Sequence, residues 1–162
     1  MPTNTRNVLQ SASEIKGTSA PLLHEILTKV NNAKDKPKKV EVLKSNDSVP
    51  LRQILKGAFD PKIEWELPEG TPPYKENDAP AGTEHTTLYQ EARRLHYFVK
   101  GANVLTKSKR EMMFIQLLEG LHKDDAELMI AVKEKELNKR YKGLTDAVVK
   151  EAFGWNDDYK TA

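Results

Sequence analysis

Four histidines are the side chains best suited to bind a metal ion or transfer a proton: His24, His85, His96 and His122. None is spaced as HxxxH or HExxH, which would place two zinc ligands on one helical face. The segment HKDD at residues 122–125 brings an imidazole close to two carboxylates. Carboxylates at the start of a helix are better explained by capping and by the helix dipole. The sequence therefore predicts no metal ligand.

Motifs for nucleophilic catalysis and for phosphate binding are absent from the sequence. The chain has no cysteine, which excludes a thiolate nucleophile and cysteine-bound zinc. It contains no GxSxG for a serine nucleophile, and neither GxxxxGK[ST] nor GxGxxG for a phosphate cradle. The sequence predicts no catalytic residue and no cofactor, so an enzyme with an unrecognised site is the least favoured class of function.

Positive charge is concentrated in two stretches, although the whole chain carries a net charge of only +2. Residues 28–44 hold six lysines against two acids, a net +4, and residues 133–142 hold five cations against two acids, a net +3. If these stretches converge, they could contact phosphates with a salt-dependent affinity. The alternative is a solvated helix face that carries ordinary surface lysines. The candidate phosphate-contacting residues are Lys36, Lys38, Lys39, Lys107, Lys109, Arg110, Lys139, Arg140 and Lys142.

Residues 61–85 form a proline-rich, acidic segment between two regions of helical pattern. Its prolines oppose helix formation, and its acidic excess repels phosphate. Two aromatic residues argue against full disorder, because their burial offsets part of the entropy lost on ordering. One interpretation is an extended belt across the helices, anchored by Trp65. The other, compatible with the first, is a surface that docks a partner protein through Trp65, Pro72, Pro73 and Tyr74.

Amphipathic helices are predicted on both sides of this segment. Apolar residues recur at helical spacing after Ser19 and after Ser48, each of which can cap a helix. Residues 35–44 fit either a short strand or a helical turn. Downstream, Thr87 with Gln90 and Ser108 with Glu111 have capping-box spacing. Further helices are predicted over residues 122–142 and, capped by Thr145, up to Gly154.

These elements predict a mainly α protein, a compact bundle of about five to six helices with a long extended proline-rich insertion. The expected organisation is a flexible arm at residues 1–18, a single helical domain at 19–155 and a C-terminal tail at 156–162. The extended segment at 61–85 lies inside the domain. The apolar run Met112–Leu118 predicts that its helix lies at the centre of the bundle.

Two stretches of the chain resemble a set of small proteins from T-even-like tailed phages. They are REMMFIQLLEGLHKDDAELMIAVKEKELNKRYKGLTDAVVKEAFGW, at residues 110–155, and LRQILKGAFDPKIEWELPEGTPPY, at residues 51–74. The likeness covers roughly residues 40–155. It rests on the general sequence similarity of these two stretches and includes no catalytic signature. These phage proteins form a family of unknown function. The resemblance implies a phage origin and a location in the host cytoplasm or the virion.

The leading functional hypothesis is a non-enzymatic phage accessory protein that binds a phage or host protein. A basic nucleic-acid-binding factor in phage replication or transcription is the alternative, and an enzyme comes third. No run of residues has the apolar length of a signal peptide or a membrane span, so no membrane partner is expected.

Overall fold

The described part of the chain is mainly helical, as the sequence predicts. The computed structural model describes residues 21–78, 84–101 and 105–161, which leaves the predicted arm at residues 1–18 and the Ser19 cap outside the described residues. These ranges contain no β-strand, but isolated antiparallel bridges join Trp65 to Val99 and Trp155 to Thr161. The helices are α1 (Leu23–Asn32), α2 (Lys36–Ser45), α3 (Val49–Phe59), α4 (Leu88–Glu91), a 3-10 helix (Ala92–Phe98), α5 (Lys107–Gly120), α6 (Lys123–Lys133), α7 (Leu137–Arg140) and α8 (Asp146–Phe153). Among the described helices, none has both the length and the apolar character needed to cross a membrane.

Side-chain caps determine where most of these helices begin. The predicted caps Ser48, Thr87 and Thr145 each accept a hydrogen bond from the backbone N–H three residues further on, so these predictions are confirmed. The prediction that Ser108 caps α5 is wrong. Thr106 performs that role through Lys109 N–H, which already places Ser108 inside the first helical turn.

The described residues form more helices than the five to six expected. Residues 36–44 of the ambiguous stretch are helical, because Asp35 caps this helix and Pro37 is tolerated in a first turn. The helix predicted over 122–142 divides into α6 and α7 at Lys135, whose φ of 58° is incompatible with a continuous α-helix. The helix predicted from Leu88 tightens to 3-10 geometry at Ala92.

Helix α6 lies at the centre of the core. It packs against α1, α3, α5 and α7, and its buried apolar residues include Leu128, Met129 and Val132. The central position predicted for the Met112–Leu118 helix is therefore wrong. Helix α5 covers one side of α6 with Phe114, Leu117 and Leu118, whereas Met112 is 57% exposed.

A segment without helix, residues 61–78, runs across the helices and is called the strap below. Its first part pairs with the end of the 3-10 helix, because Glu66 N–H donates to Phe98 O at 2.7 Å and Lys100 N–H donates to Glu64 O at 2.8 Å. Its second part meets α5, where the Asn77 side-chain amide donates to Glu119 O at 3.2 Å. Hydrogen bonds to backbone groups therefore hold the strap at two places, the end of the 3-10 helix and helix α5.

The predicted C-terminal tail folds back on α8. Beyond the left-handed Gly154, Asn156 N–H donates to Lys160 O at 2.8 Å and closes a turn. Tyr159 in this turn is buried, and its ring stands edge-on to Trp155 at 6.2 Å between centroids. The turn lies along α8, because the Tyr159 hydroxyl donates to Asp146 Oδ2 at 3.5 Å and Lys150 Nζ lies 5.0 Å from the centre of the Tyr159 ring.

Candidate functional site

Three of the four predicted docking residues share one surface. Pro72, Pro73 and Tyr74 line an open groove of about 850 Å³ between the strap and helices α6 and α7, here called the strap groove. The opposite wall contains Ile130 and Ala131, which are half-buried apolar residues. The groove therefore combines an aromatic ring, two prolines and an aliphatic wall, which are the side chains that protein interfaces prefer.

Trp65, the fourth docking candidate, lies elsewhere. Its indole packs against α3, where Nε1–H donates to Gly57 O at 2.9 Å. This carbonyl belongs to the last turn of α3, where a helix leaves carbonyls without intrahelical partners. Trp65 thus ties the beginning of the strap to α3 and does not line the strap groove.

The charged residues of the strap groove are mainly acidic. Four carboxylates line it against two cations, and the residues concerned are Glu76, Glu127, Glu134, Glu136, Lys139 and Arg140. Both cations are already paired with groove carboxylates, Arg140 with Glu127 at 2.9 Å and Lys139 with Glu136 at 3.1 Å. Glu134 is paired in turn with buried Lys133, so the carboxylate that presents negative charge to a ligand is Glu76, which forms no ion pair with a described residue.

Three ionisable groups of the groove have shifted pKa values: Tyr74, Glu134 and Arg140. Burial lowers the pKa of Arg140, but its interactions with Tyr141 and Glu127 are stronger and raise it overall. Burial, together with the charges of Glu127 and Glu76, raises the pKa of Tyr74, so its hydroxyl stays protonated and able to donate. Burial raises the pKa of Glu134, but hydrogen bonds from Lys133 and the Gly70 backbone outweigh this effect and lower it overall. Glu134 is therefore a carboxylate at neutral pH.

Several predicted phosphate contacts come together at the end of α1. Asn31 Oδ1 accepts a hydrogen bond from Gly143 N–H at 2.7 Å, which brings the loop after α7 against the residues before α2. A Cβ added to Gly143 would lie 3.0 Å from Lys39 Nζ. The basic stretches at residues 28–44 and 133–142 therefore meet here.

Most cations at this meeting point have partners. Lys39 Nζ donates to the Ala33 carbonyl at 2.8 Å, and Lys36 pairs with Glu151 at 3.2 Å. Lys139 and Arg140 pair with the groove carboxylates described above. Lys38 and Lys142 are exposed, so they have the greatest freedom to contact a phosphate.

The predicted basic corner at the start of α5 contains two different kinds of residue. Lys107 and Lys109 are exposed, whereas Arg110 is buried. The Arg110 guanidinium donates through Nε to Glu66 O at 2.8 Å and through Nη1 to Leu105 O at 3.2 Å. Arg110 thus holds the strap onto α5 through two backbone carbonyls, and Nη1 also lies 3.8 Å from the Glu66 carboxylate.

A cluster absent from the sequence prediction forms where α1 meets the start of α6. It consists of His24, His122, Asp124 and Asp125, and is called the His–Asp cluster below. One possible ligand atom from each of His24, His122 and Asp124 lies within 4.8 Å of the others. The two imidazole rings stack with centroids 4.8 Å apart and an interplanar angle of 19°.

Asp125 controls the orientation of His24. Its carboxylate is 1% exposed and accepts both the His24 backbone N–H at 3.0 Å and a hydrogen bond from His24 Nδ1 at 2.7 Å. Burial lowers the pKa of His24, but the hydrogen bond and charge of Asp125 outweigh it, with further contributions from Asp124 and Glu25, so the pKa is raised.

Sequence reasoning missed this cluster because 101 residues separate His24 from Asp125. The HKDD segment does begin α6, with Asp124 and Asp125 in the first turn as predicted, but the cap is not a carboxylate: His122 Nδ1 accepts the Asp124 N–H at 3.0 Å. The histidine from α1 completes the cluster. The one available signal was that His24 interrupts the apolar face of α1 between Leu23 and Ile26.

The comparisons identify a family without assigning an activity. A model described as a family of unknown function (DUF6433) matches residues 26–139. This range includes the strap, α5, α6 and most of α7, and therefore nearly all of the strap groove. Neither a curated protein nor a solved structure matches the chain.

Proposed function

We propose that this chain, which belongs to the family of unknown function DUF6433, is a non-enzymatic phage accessory protein that binds a phage or host protein. The strap groove is the proposed binding surface, and its occupant is a basic segment of the partner with an apolar anchor. The observation that carries the proposal is the combination of an aliphatic wall, two prolines and Tyr74 with Glu76, an exposed groove carboxylate that forms no ion pair with a described residue.

The chemistry of the groove favours this occupant. The ring of Tyr74 and the two prolines offer rigid apolar area, which costs little conformational entropy when a partner binds. Glu76 lies on the strap side of the groove, and Glu127 lies on α6. Because Glu127 is paired with Arg140, a lysine or arginine side chain entering the groove would meet complementary charge mainly at Glu76, and an acidic segment would be repelled there.

The strap is proposed to act as an extended insertion that presents the groove. Trp65 and Arg110 hold its beginning, and Lys133 holds its middle through the carbonyls of Pro68 and Gly70 at 3.0 and 2.7 Å. A docking surface fixed in this way needs little reorganisation on binding. The resemblance of residues 40–155 to small phage proteins supports a role in the host cytoplasm or in the virion.

Site-specific photo-crosslinking in infected cells tests this proposal. A photoreactive amino acid replaces Thr71, an exposed residue that lines the groove, or Val49, an exposed residue of α3 outside the groove. We expect a discrete crosslinked protein from position 71 and not from position 49, with a net positive segment at the crosslink. No product at position 71, the same product at both positions, or an acidic segment would contradict the proposal.

The crosslinked segment, synthesised as a peptide, then gives the affinity. Glu76→Lys should weaken binding roughly tenfold by fluorescence anisotropy, since it removes one attractive charge and adds a repulsive one. Glu41→Lys, an equivalent change at an exposed position of α2, should leave the affinity unchanged. Equal effects of the two variants would show that the groove is not the binding surface.

Nucleic-acid binding is the second candidate, because the Asn31–Gly143 hydrogen bond brings the two basic stretches together. Under this hypothesis the purified chain retards a DNA or RNA duplex at low salt, and its affinity falls steeply as salt rises. The double variant Lys38→Glu/Lys142→Glu should reduce the slope of log affinity against log salt by about 2. Lys107→Glu/Lys109→Glu is the matched control at the other basic corner, and the absence of any retardation at low salt would exclude this function.

A further inference from the structure

We propose that the His–Asp cluster binds one divalent transition-metal ion, such as Zn²⁺, through His24, His122 and Asp124. This site lies at the junction of α1 and α6, and neither functional candidate above uses it. The Asp124 carboxylate lies close to both imidazoles, with Oδ2 at 3.7 Å from His24 Nε2 and at 3.9 Å from His122 Nδ1. Three donors of types that Zn²⁺ prefers therefore lie within 4.8 Å of one another.

His24 is oriented as metal-binding histidines are oriented in general. Its Nδ1 is engaged by the buried carboxylate of Asp125, so in the neutral ring the proton lies on Nδ1. This leaves the Nε2 lone pair directed toward Asp124. A carboxylate behind the distal nitrogen fixes the tautomer and the ring plane and increases the basicity of the ligand atom. Asp125 is thus a positioning residue, and the proposed ligands are the other three.

His122 contributes through the nitrogen that caps α6. Its Nδ1 accepts the Asp124 N–H at 3.0 Å, which shows that this nitrogen carries a lone pair and not a proton. Metal binding at Nδ1 would replace this hydrogen bond. The three ligand atoms, which lie within 4.8 Å of one another, must also approach to about 3.3 Å, the separation expected in a tetrahedral zinc site. The Asp124 side chain, which is 40% exposed, has the freedom to close its part of this distance, and a shift of the imidazoles must close the rest.

The charges of the cluster are compatible with a cation despite its location at a helix N-terminus. The partial positive charge of the α6 dipole disfavours a metal ion there. Two carboxylates, Asp124 and Asp125, oppose this effect, and the second is buried, so its charge is weakly screened. Two imidazoles with one carboxylate select transition metals over Mg²⁺ or Ca²⁺, which prefer oxygen ligands.

A simpler explanation of the cluster is an ion pair between protonated His24 and Asp125. That pair accounts for the 2.7 Å contact but requires neither Asp124 nor His122. A metal site requires both of them. Variants at these two positions therefore distinguish the two explanations.

Metal titration of the untagged chain tests the proposal. Because the chain has no cysteine and four histidines, few other strong ligands compete. By calorimetry we expect one equivalent of Zn²⁺ to bind, and the absorption spectrum of added Co²⁺ to show a site with fewer than six ligands. Mg²⁺ should not bind at the same concentrations. His122→Gln and Asp124→Asn should each weaken Zn²⁺ binding at least tenfold, and Asp125→Asn should weaken it 10- to 100-fold.

Matched controls keep this test decisive. His85→Gln and His96→Gln remove exposed imidazoles outside the cluster and should leave the affinity unchanged. Asp124→Asn alters a partly exposed side chain, so it should fold even if a change at buried Asp125 does not. Zn²⁺ should also raise the melting temperature of the unmodified chain but not that of His122→Gln. Equal Zn²⁺ binding by the unmodified chain and by a His122→Gln/Asp124→Asn double variant would overturn the proposal.

Discussion

Lys133→Met is expected to lower the free energy of unfolding by about 2–3 kcal/mol, because the Lys133 ammonium holds the middle of the strap against α6. The side chain is 2% exposed, and Nζ donates to Pro68 O at 3.0 Å, to Gly70 O at 2.7 Å and to the carboxylate of Glu134. Methionine retains the length of the aliphatic stem but removes all three donors. The carbonyls must then be solvated by water, which requires the strap to move away from α6.

Urea denaturation followed by circular dichroism measures this effect, and hydrogen exchange locates it. Amide protection should fall within residues 69–76 before it falls in α6, since the strap would open while the core stays folded. Lys139→Met is the matched control, since Lys139 is 77% exposed and pairs with Glu136 on the surface. Its effect should stay within about 0.5 kcal/mol. Equal destabilisation by the two variants would mean that Lys133 does not anchor the strap.

The starts of the helices could be predicted because their causes are local. A cap is recognised from a serine or threonine and the backbone N–H groups that follow it, as at Ser48, Thr87 and Thr145. Local patterns failed where two signals competed. Thr106 and Ser108 can both cap a helix, and the structure uses the earlier residue.

The roles of three cations that donate to distant backbone carbonyls could not be predicted. A lysine or arginine in a helical pattern is normally on the surface, and for this reason Arg110 was counted among the phosphate contacts. Instead, Arg110, Lys133 and Lys135 donate to backbone carbonyls that are 44, 63 and 78 residues distant in the chain. No composition or periodicity indicates which distant carbonyl lacks a donor. Charge counting therefore overestimated the basic surface.

The strap groove, like the contacts of these cations, depends on residues that are distant in the sequence. Pro72, Pro73 and Tyr74 line one groove because they are neighbours in sequence. Their position opposite α6 depends on Lys133 and its carbonyl acceptors. The His–Asp cluster depends in the same way on the packing of α1 against α6. In each case the sequence shows one half of the site, and the fold supplies the other half.

Trp65 and Gly57 are expected to show strong energetic coupling, because the indole occupies the space beside the glycine. A Cβ added to Gly57 would lie 2.6 Å from Trp65 Cζ2, well inside van der Waals contact. The indole cannot easily move away, since Nε1–H donates to Gly57 O at 2.9 Å. The same carbonyl also accepts Lys135 Nζ at 2.7 Å, which further fixes the end of α3.

In a double-mutant cycle over these two residues, Gly57→Ala should therefore destabilise the unmodified chain and stabilise the Trp65→Ala chain. Trp65→Ala should cost about 2–4 kcal/mol through the lost packing of a half-buried ring. Gly57→Ala should cost about 1–3 kcal/mol in the unmodified chain, since the new methyl group displaces the indole. In the Trp65→Ala background the same change should stabilise the chain by about 0.5–1 kcal/mol, because alanine favours the helix over glycine.

Urea denaturation of the four chains measures the cycle, with circular dichroism as the signal because Trp65→Ala removes one of two fluorophores. Additive effects, within about 0.5 kcal/mol, would show that the indole does not occupy the space beside Gly57. The reversal of sign is the decisive observation, since helix propensity alone makes Gly57→Ala favourable in both backgrounds. Only an indole held against α3 makes it unfavourable in one of them, and an indole held there anchors the strap and is not available to a partner.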